Sequence, residues 1–487
     1  MQRIRPDRRW PLHDVATTRL IEQAAAATLP PHTLMQRAGL AVARLALALA
    51  PHAQRIWIAC GPGNNGGDGL EAAMHLQRWG KAPHVSWLGD ETKAPADALA
   101  SLERARQAGV AIHEAPPPGW DLAIDALLGI GSKRAPEGRL AQWIGALNAN
   151  AGQVLAVDVP SGLDADTGTG MAVGASHTLS LLTLKPGLFT AQGRDAAGNI
   201  WFDGLDVATG TDDRAPKAFL SSQVEARPRL HASHKGSYGD VAVIGGAPGM
   251  AGAAVLAASA ALHRGAGRVF VGLLDPDAMK VDGAQPELML RPWDSLELGA
   301  MSVACGCGGG EAVRAVLPKV LSTAQALVLD ADALNAIAND TQLQSQLRAR
   351  AGRHGRATVI TPHPLEAARL LGCSTADIQA NRLAAACELA QRFSCVAVLK
   401  GSGSITASPG ELPVVNFTGN AKLATAGTGD VLAGMIAAGL SLGQEAMRAA
   451  SAAVHSHGAC ADGWPAGQPL TAAGLARQCL DPGTGPG

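Results

Sequence analysis

Arg55-Ile-Trp-Ile-Ala-Cys-Gly-Pro-Gly-Asn-Asn-Gly-Gly-Asp-Gly69 sets the fold class. A short apolar strand runs straight into a glycine-rich loop, and residues 70–79 continue with a helical pattern. Strand, glycine loop and helix in that order open an α/β nucleotide-binding unit. The loop has no GK followed by Ser or Thr, so it is not a Walker A sequence. It does not spell GxGxxG either, which makes a plain dinucleotide fingerprint a poor match. Working outward, further strands are expected at 83–88, 122–127, 154–157 and 177–182, with helices at 96–107 and 140–148 between them. Upstream, 17–27 and 31–50 read as two helices, and Pro31 suits a first helical turn. This alternation predicts a mostly parallel sheet covered on both faces.

Ligands of such sheets bind beyond the C-terminal strand ends. Three polar loops fall there: Asn64-Asn-Gly-Gly-Asp68, Asp125-Ala-Leu-Leu-Gly-Ile-Gly-Ser132 and Asp158-Val-Pro-Ser-Gly162. They are expected to converge on one pocket. Their Asn, Asp and Ser side chains supply the oxygens and amides that suit a hard cation or a sugar phosphate. Asn and Asp also simply make turns, which is the better account of any one loop taken alone. Three loops in register weigh against it.

The pattern lapses at Thr209-Gly-Thr-Asp-Asp-Arg-Ala-Pro216, and we read 213–228 as a linker between domains at 1–212 and 229–487. A second α/β series follows. Strands are expected at 240–246, 268–273, 303–304, 326–332, 358–361 and 395–400, with a small-residue helix at 250–265. It closes on Ala426-Gly-Thr-Gly-Asp430, ahead of a buried helix at 431–440. Gly427 and Gly429 leave room for backbone N–H groups to approach a ligand, and a helix N-terminus behind a glycine turn is a ready phosphate site. Asp430 falls in the first turn. It either acts as a base on a hydroxyl held beside the phosphates or caps the helix.

Composition narrows the classes. Of 487 residues, 47% are hydrophobic and 17% charged, too apolar for disorder and ample for sizeable cores. A net charge of −1 and 3% aromatics argue against nucleic acid and a membrane surface as partners. The eight cysteines form no CxxC pair, so reduced, buried thiols in a cytoplasmic protein are expected rather than zinc or disulfides. Cys305 and Cys307 read as small core residues, and His457 as a packed helix histidine. No signal peptide or membrane span is expected.

These motifs resemble a known family in both halves. Leu34-Met-Gln-Arg-Ala-Gly39, Gly63-Asn-Asn-Gly-Gly-Asp-Gly69, Asp125-Ala-Leu-Leu-Gly-Ile-Gly131, Asp158-Val-Pro-Ser-Gly162 and Lys185-Pro-Gly-Leu188 are similar to marks of the YjeF N-terminal domain. His234-Lys-Gly-Ser-Tyr-Gly239, Thr361-Pro-His-Pro364, Lys400-Gly-Ser-Gly-Ser404 and Asn420 to Asp430 resemble the YjeF C-terminal, ribokinase-like domain. The resemblance implies two α/β domains, an N-terminal Rossmann-like three-layer sandwich and a C-terminal ribokinase-like domain. It also implies repair of hydrated nicotinamide nucleotides, NADHX and NADPHX. The first domain would be the epimerase of the R and S hydrates, and the second an ADP-dependent dehydratase of the S form.

Site residues follow from the same resemblance. Asn64, Asn65, Gly66, Gly67, Asp68 and Asp158 would hold the hydrate in the first domain, with the loop Gly129, Ile130, Gly131, Ser132, Lys133, Arg134 and Ala135. Asn65, Asp125 and Ser161 would coordinate K⁺. In the second domain Ala253, Gly308, His363 and Asp430 would meet the hydrate. Lys400, Gly401, Ser402, Gly403, Ser404 and Gly429 would bind ADP, which brings Mg²⁺. Gly306-Cys-Gly-Gly-Gly310 stands where GPGLG is usual, Leu365 replaces a common glycine, and Gln36 a common Glu. A homo-oligomer, a tetramer or larger, is expected.

As catalysts we expect Asp158, with Asp68 second, for the epimerisation, and Asp430 for the dehydration. Asp158 has a competing reading as a carboxylate that only hydrogen-bonds a ribose. The rival functions are a ribokinase-like small-molecule kinase and a non-catalytic nucleotide sensor.

Overall fold

The computed structural model describes residues 1–132, 134–208, 214–223, 229–352 and 356–478. The chain divides into two compact units, Met1–Arg5 with Trp10–Phe219 and Pro6–Arg9 with Leu220–Gly487.

The first unit is built on an eight-stranded sheet. In spatial order its strands are Gln2–Arg3, Asn199–Asp203, His177–Leu181, Gln153–Val157, Leu122–Ala126, Ile56–Cys60, His84–Trp87 and Ile112–His113. All neighbours pair in parallel except Gln2–Arg3. Ile56–Cys60 and Leu122–Ala126 are buried throughout, as central parallel strands must be when both faces are covered. On one face Ile58, Ile124 and Leu155 pack with the helices Thr33–Leu49 and Asn64–Arg78. On the other, Trp57 lies tilted against Trp120, with ring centroids 4.6 Å apart, and meets Trp143 of the helix Gly138–Ala149. The expected three-layer arrangement is therefore present.

Three local expectations need correction. The helix expected from residue 70 begins at Asn64, so Asn64–Asp68 is helix rather than loop. Asn and Gly are weak helix formers, but the chain must turn directly off the strand. A Cβ at Gly66 would stand 2.0 Å from the Gly61 carbonyl oxygen, so glycine closes that turn. Pro31 does not open its helix; His32 occupies the cap position in a left-handed conformation, and the helix runs Thr33–Leu49. Ala218–Leu220 is a strand within the stretch read as linker, and Ala218 and Phe219 pair antiparallel with Leu12 and Pro11. Residues 213 and 224–228 of that stretch lie outside the described residues.

In the second unit the strands run Met289–Leu290, Arg268–Leu273, Asp240–Gly245, Ser302–Cys305, Ala326–Leu329, Thr358–Ile360, Val396–Leu399, Ile405–Ala407 and Val414–Val415. Pairing is parallel as far as Val396–Leu399 and antiparallel beyond it. The helix Thr428–Ser441 is buried from Val431 to Leu440. Its small residues let it lie close against Ala251–His263. No described helix is long and apolar enough to cross a membrane. Among the cysteines, Cys60, Cys305, Cys307 and Cys395 are buried, but Cys373 and Cys387 are exposed, against expectation. Cys479 lies outside the described residues.

A Cβ at Gly434 would stand 1.9 Å from the Ala257 carbonyl oxygen across that helix pair. Gly434→Val should cost about 1–3 kcal/mol through overpacking. Hydrogen-exchange mass spectrometry in increasing urea should show residues 251–263 and 428–441 exchanging at lower denaturant, with the first unit's sheet unmoved.

Candidate active sites

The first unit holds a cavity of about 660 Å³ at the C-terminal ends of its central strands. Asn64, Asn65 and Asp68 reach it from the start of the helix Asn64–Arg78. Gly129, Ile130, Gly131 and Ser132 enter after Leu122–Ala126, and Asp158 after Gln153–Val157. The three loops do converge. Gly66 and Gly67 do not line the cavity: Gly66 faces the Gly61 carbonyl, and Gly67 packs against Met35 and Ala98. Arg134 and Ala135 do not line it either. Lys133 lies outside the described residues.

Sequence reasoning missed the ion pair at the back of this cavity. Lys185 is fully buried, and its ammonium binds the Asp158 carboxylate and the Leu181 carbonyl, the latter at 2.7 Å. Asp158 also accepts the Leu181 N–H at 3.1 Å and holds a left-handed backbone, φ 68°. Lys185 was visible only as part of a Lys-Pro-Gly-Leu motif, with nothing local to pair it with a residue 27 positions away. Asp68 is different. Its carboxyl makes no hydrogen bond or ion pair among the described residues, and burial, followed by the charges of Asp158 and Glu22, pushes it well above the usual carboxylate range.

Behind the cavity, Asp125 and Ser161 are wholly buried. The Ser161 hydroxyl and N–H donate to Asp125 at 2.6 and 2.8 Å, and the Leu128 N–H donates to Ser161 at 2.8 Å. Burial pushes Asp125 up to about 6 even so. The Asn65 amide is buried with one polar atom unpartnered, and it lies against Gly129.

The second unit gathers Asp430, Asp330 and Cys307, whose ligand atoms all lie within 4.8 Å of one another. Asp430 stands in the first turn of Thr428–Ser441 but accepts no backbone N–H, and Gly427 holds the cap position. The capping reading therefore fails. Burial, and then Asp330, push the Asp430 carboxyl up to about 6, while the Cys307 thiol draws it back by hydrogen bonding. Cys307 is a core residue as expected, yet it is also Asp430's partner, which its glycine-rich context did not show.

Lys400 pairs with Asp330 at 2.5 Å and stands 4.0 Å from Glu366. Burial lowers the Lys400 pKa, but those two carboxylates outweigh it and leave the ammonium raised. Thr361 also donates to Asp330, at 2.8 Å. A side chain at Gly429 would approach the Lys400 ammonium to 3.4 Å, so the glycine lies beside this cation. Gly401, Ser402, Gly403 and Ser404 follow directly after Val396–Leu399. His363 caps the helix Pro364–Leu371 in a reciprocal box with Glu366 and stays half-exposed. Gly308 lies against Ala253. His457 is a packed helix histidine: its Nε2–H donates to the Thr428 carbonyl at 2.9 Å, and burial lowers its pKa to about 4. Asp330 was read only as an acidic strand end, and Glu366 was not singled out.

Comparison with known proteins covers both sites. A family model described as YjeF-related protein N-terminus matches residues 31–187, and one described as NAD(P)H-hydrate dehydratase matches 241–478. The bifunctional NAD(P)H-hydrate repair enzyme Nnr of Escherichia coli (strain K12) is 39% identical over 450 residues, covering 88% of this chain and 85% of that one. Its namesake from Vibrio cholerae is 36% identical and covers 88% of each chain. The ADP-dependent (S)-NAD(P)H-hydrate dehydratase of Neisseria meningitidis is 43% identical over 243 residues, 48% of this chain and 80% of that one.

Removing one partner of a buried ion pair strands the other charge. Lys185→Met should cost the first unit ~3–5 kcal/mol in urea unfolding. Adding Asp158→Asn to Lys185→Met should recover most of that loss.

Proposed function

The chain belongs to the bifunctional NAD(P)H-hydrate repair family, and on that premise we propose that its first unit interconverts the R and S hydrates of NADH and NADPH, while its second dehydrates the S hydrate with ADP. The observation that carries the reading is Asp430. It is a half-buried carboxyl in the first turn of a helix, uncommitted to capping and close to a lysine-bearing glycine loop. A simple small-molecule kinase would use such a site too, but would leave the first unit without a role.

Water is a poor leaving group, and a kinase-like site can replace it. Asp430 takes the proton of the C6 hydroxyl, which attacks the β-phosphorus of ADP and releases AMP. Backbone N–H groups from Gly427 to Gly429 and the Lys400 ammonium stabilise the charge on the transferring group. The ring nitrogen then pushes out phosphate from C6, and loss of a C5 proton restores NAD(P)H. His363, Ala253 and Gly308 hold the hydrate, and Lys400 to Ser404 with Gly429 hold the nucleotide. The Asp330 carboxylate offers a hard oxygen donor that would hold Mg²⁺ entering with the nucleotide, leaving Asp430 as the base. Bound there, the ion would neutralise phosphate charge. In the first unit, the wholly buried Asp125 carboxyl has Ser161 and backbone N–H groups as its partners among the described residues, and with the Ser161 hydroxyl and the Asn65 Oδ1 it gives a set of hard oxygen donors. That set fits K⁺, which would act electrostatically. The enzyme would work in the cytoplasm.

A first assay uses mixed R and S hydrates of NADH with Mg²⁺, K⁺ and either ADP or ATP, following the return of reduced-nicotinamide absorbance. Full recovery with ADP is expected; recovery stopping at the S fraction would remove the epimerase, and none with either nucleotide would restore the kinase reading. Asp430→Asn should lower dehydration by ~10²–10⁴-fold, with R/S interconversion followed by NMR unchanged. Because Asp430 must be ionised to act and burial pushes its carboxyl up to about 6, dehydration kcat/KM should fall as the pH drops through that range, about tenfold per unit below it. K⁺ should raise the melting midpoint of the first unit in wild type, and Li⁺ should not; Asp125→Asn should abolish the difference.

A further inference from the structure

We propose that Asp68 is the proton donor and Asp158 the proton acceptor of the epimerisation, acting through opening and reclosure of the hydrated ring; the proposal rests on the epimerase reading of the first unit. Both carboxyls line the same cavity, and the structure gives them opposite surroundings. Asp158 accepts from the buried Lys185 ammonium and from the Leu181 N–H. The Asp68 carboxyl makes no hydrogen bond or ion pair among the described residues, and Asp68 lines the cavity.

Charge around Asp68 reinforces that difference. The largest charges acting on it are the carboxylates of Asp158, Glu22, Glu71 and Asp97, while the cations Arg19 and Lys185 line the same cavity. Lys185 is engaged by Asp158, and Arg104 by Glu71. The start of the helix Asn64–Arg78 favours an anion in its first turn, but Asp68 sits beyond that turn, and burial with four carboxylates prevails. Glu22 also lines the cavity and is also raised, first by burial and then by Asp158, but Lys185 and Arg19 act to lower it. One carboxyl held by a buried cation and one left without a partner, both facing the same cavity, suit the two halves of an acid/base pair.

The chemistry balances without a co-reactant. Asp158 takes the proton of the C6 hydroxyl as C6=O forms. The N1–C6 bond breaks with its electron pair on N1, and Asp68 delivers a proton there. Rotation about C5–C6 presents the other face of the aldehyde. N1 attacks C6, its proton returns to Asp68, and Asp158 returns the other to oxygen. The product is the opposite epimer, and nothing is oxidised or reduced.

The test follows R/S interconversion by NMR without nucleotide. Asp68→Asn should lower its rate by ~10²–10⁴-fold, with affinity for the R hydrate, measured by calorimetry, within about threefold of wild type. Asp68→Glu should restore part of the rate. ADP-dependent dehydration of the S hydrate should persist in both variants, and their retained affinity for the R hydrate shows that the first unit folds. In H₂¹⁸O the wild type should invert C6 without taking up label, since the C6–O bond never breaks. Retention of more than about a tenth of the rate in Asp68→Asn overturns the proposal, as do parallel losses of rate and affinity. Label entering once per inversion overturns the ring-opening route, and with it the proton path assigned here. A wild-type protein that interconverts nothing overturns both this proposal and the epimerase reading.

Discussion

Charge taken out of water at the ends of parallel strands governs both sites. A carboxyl there must find a partner or keep its proton, because burying it bare costs far more than either. Asp158 finds Lys185, Asp330 finds Lys400 and Thr361, and Asp125 finds Ser161. Asp68 and Asp430 form no ion pair, and both are pushed upward. Each unit thus sets a committed carboxylate beside an uncommitted carboxyl: Asp158 with Asp68 in the first, Asp330 with Asp430 in the second. The committed members are held in place, and the uncommitted ones have protons to exchange.

The framework around these groups is made by close backbone approach rather than by large side chains. In the first unit a glycine lets the helix Asn64–Arg78 start directly against the turn after Ile56–Cys60. That tightness brings Asn64, Asn65 and Asp68 to the cavity from successive helical positions. In the second unit, Thr428–Ser441 is wedged against Ala251–His263, and His457 holds the Thr428 carbonyl from the helix Ala446–Asp462. A neutral, buried imidazole is suited to that task, since it donates one hydrogen bond without adding charge beside Asp430. The turn carrying Asp430 is thereby fixed on two sides.

Much of this was legible in the sequence. The strand Arg268–Leu273 and the helix Ala96–Gln107 fall where the apolar pattern put them, and three polar loops after buried strands did meet in one cavity. Period and turn chemistry are local signals, and these features are local. Pairings between distant segments were not legible. Lys185 and Asp158 lie 27 residues apart, and Lys400 and Asp330 lie 70 apart; only the folded sheet brings them together. Helix starts were misplaced for a related reason. Asn64–Asp68 looks like a loop by composition, and packing against the preceding strand overrides that preference.

The left-handed backbone at Asp158 has a consequence for the history of such chains. That conformation is open to glycine and tolerable for asparagine and aspartate, but strained for nearly every other residue. Selection at this position therefore chooses among very few letters. A descendant released from the need for a carboxylate here would drift first to asparagine or glycine, keeping its fold while falling silent. Asparagine or glycine at this position, with Asp430 retained, would identify relatives that keep one of the two sites and have relinquished the other.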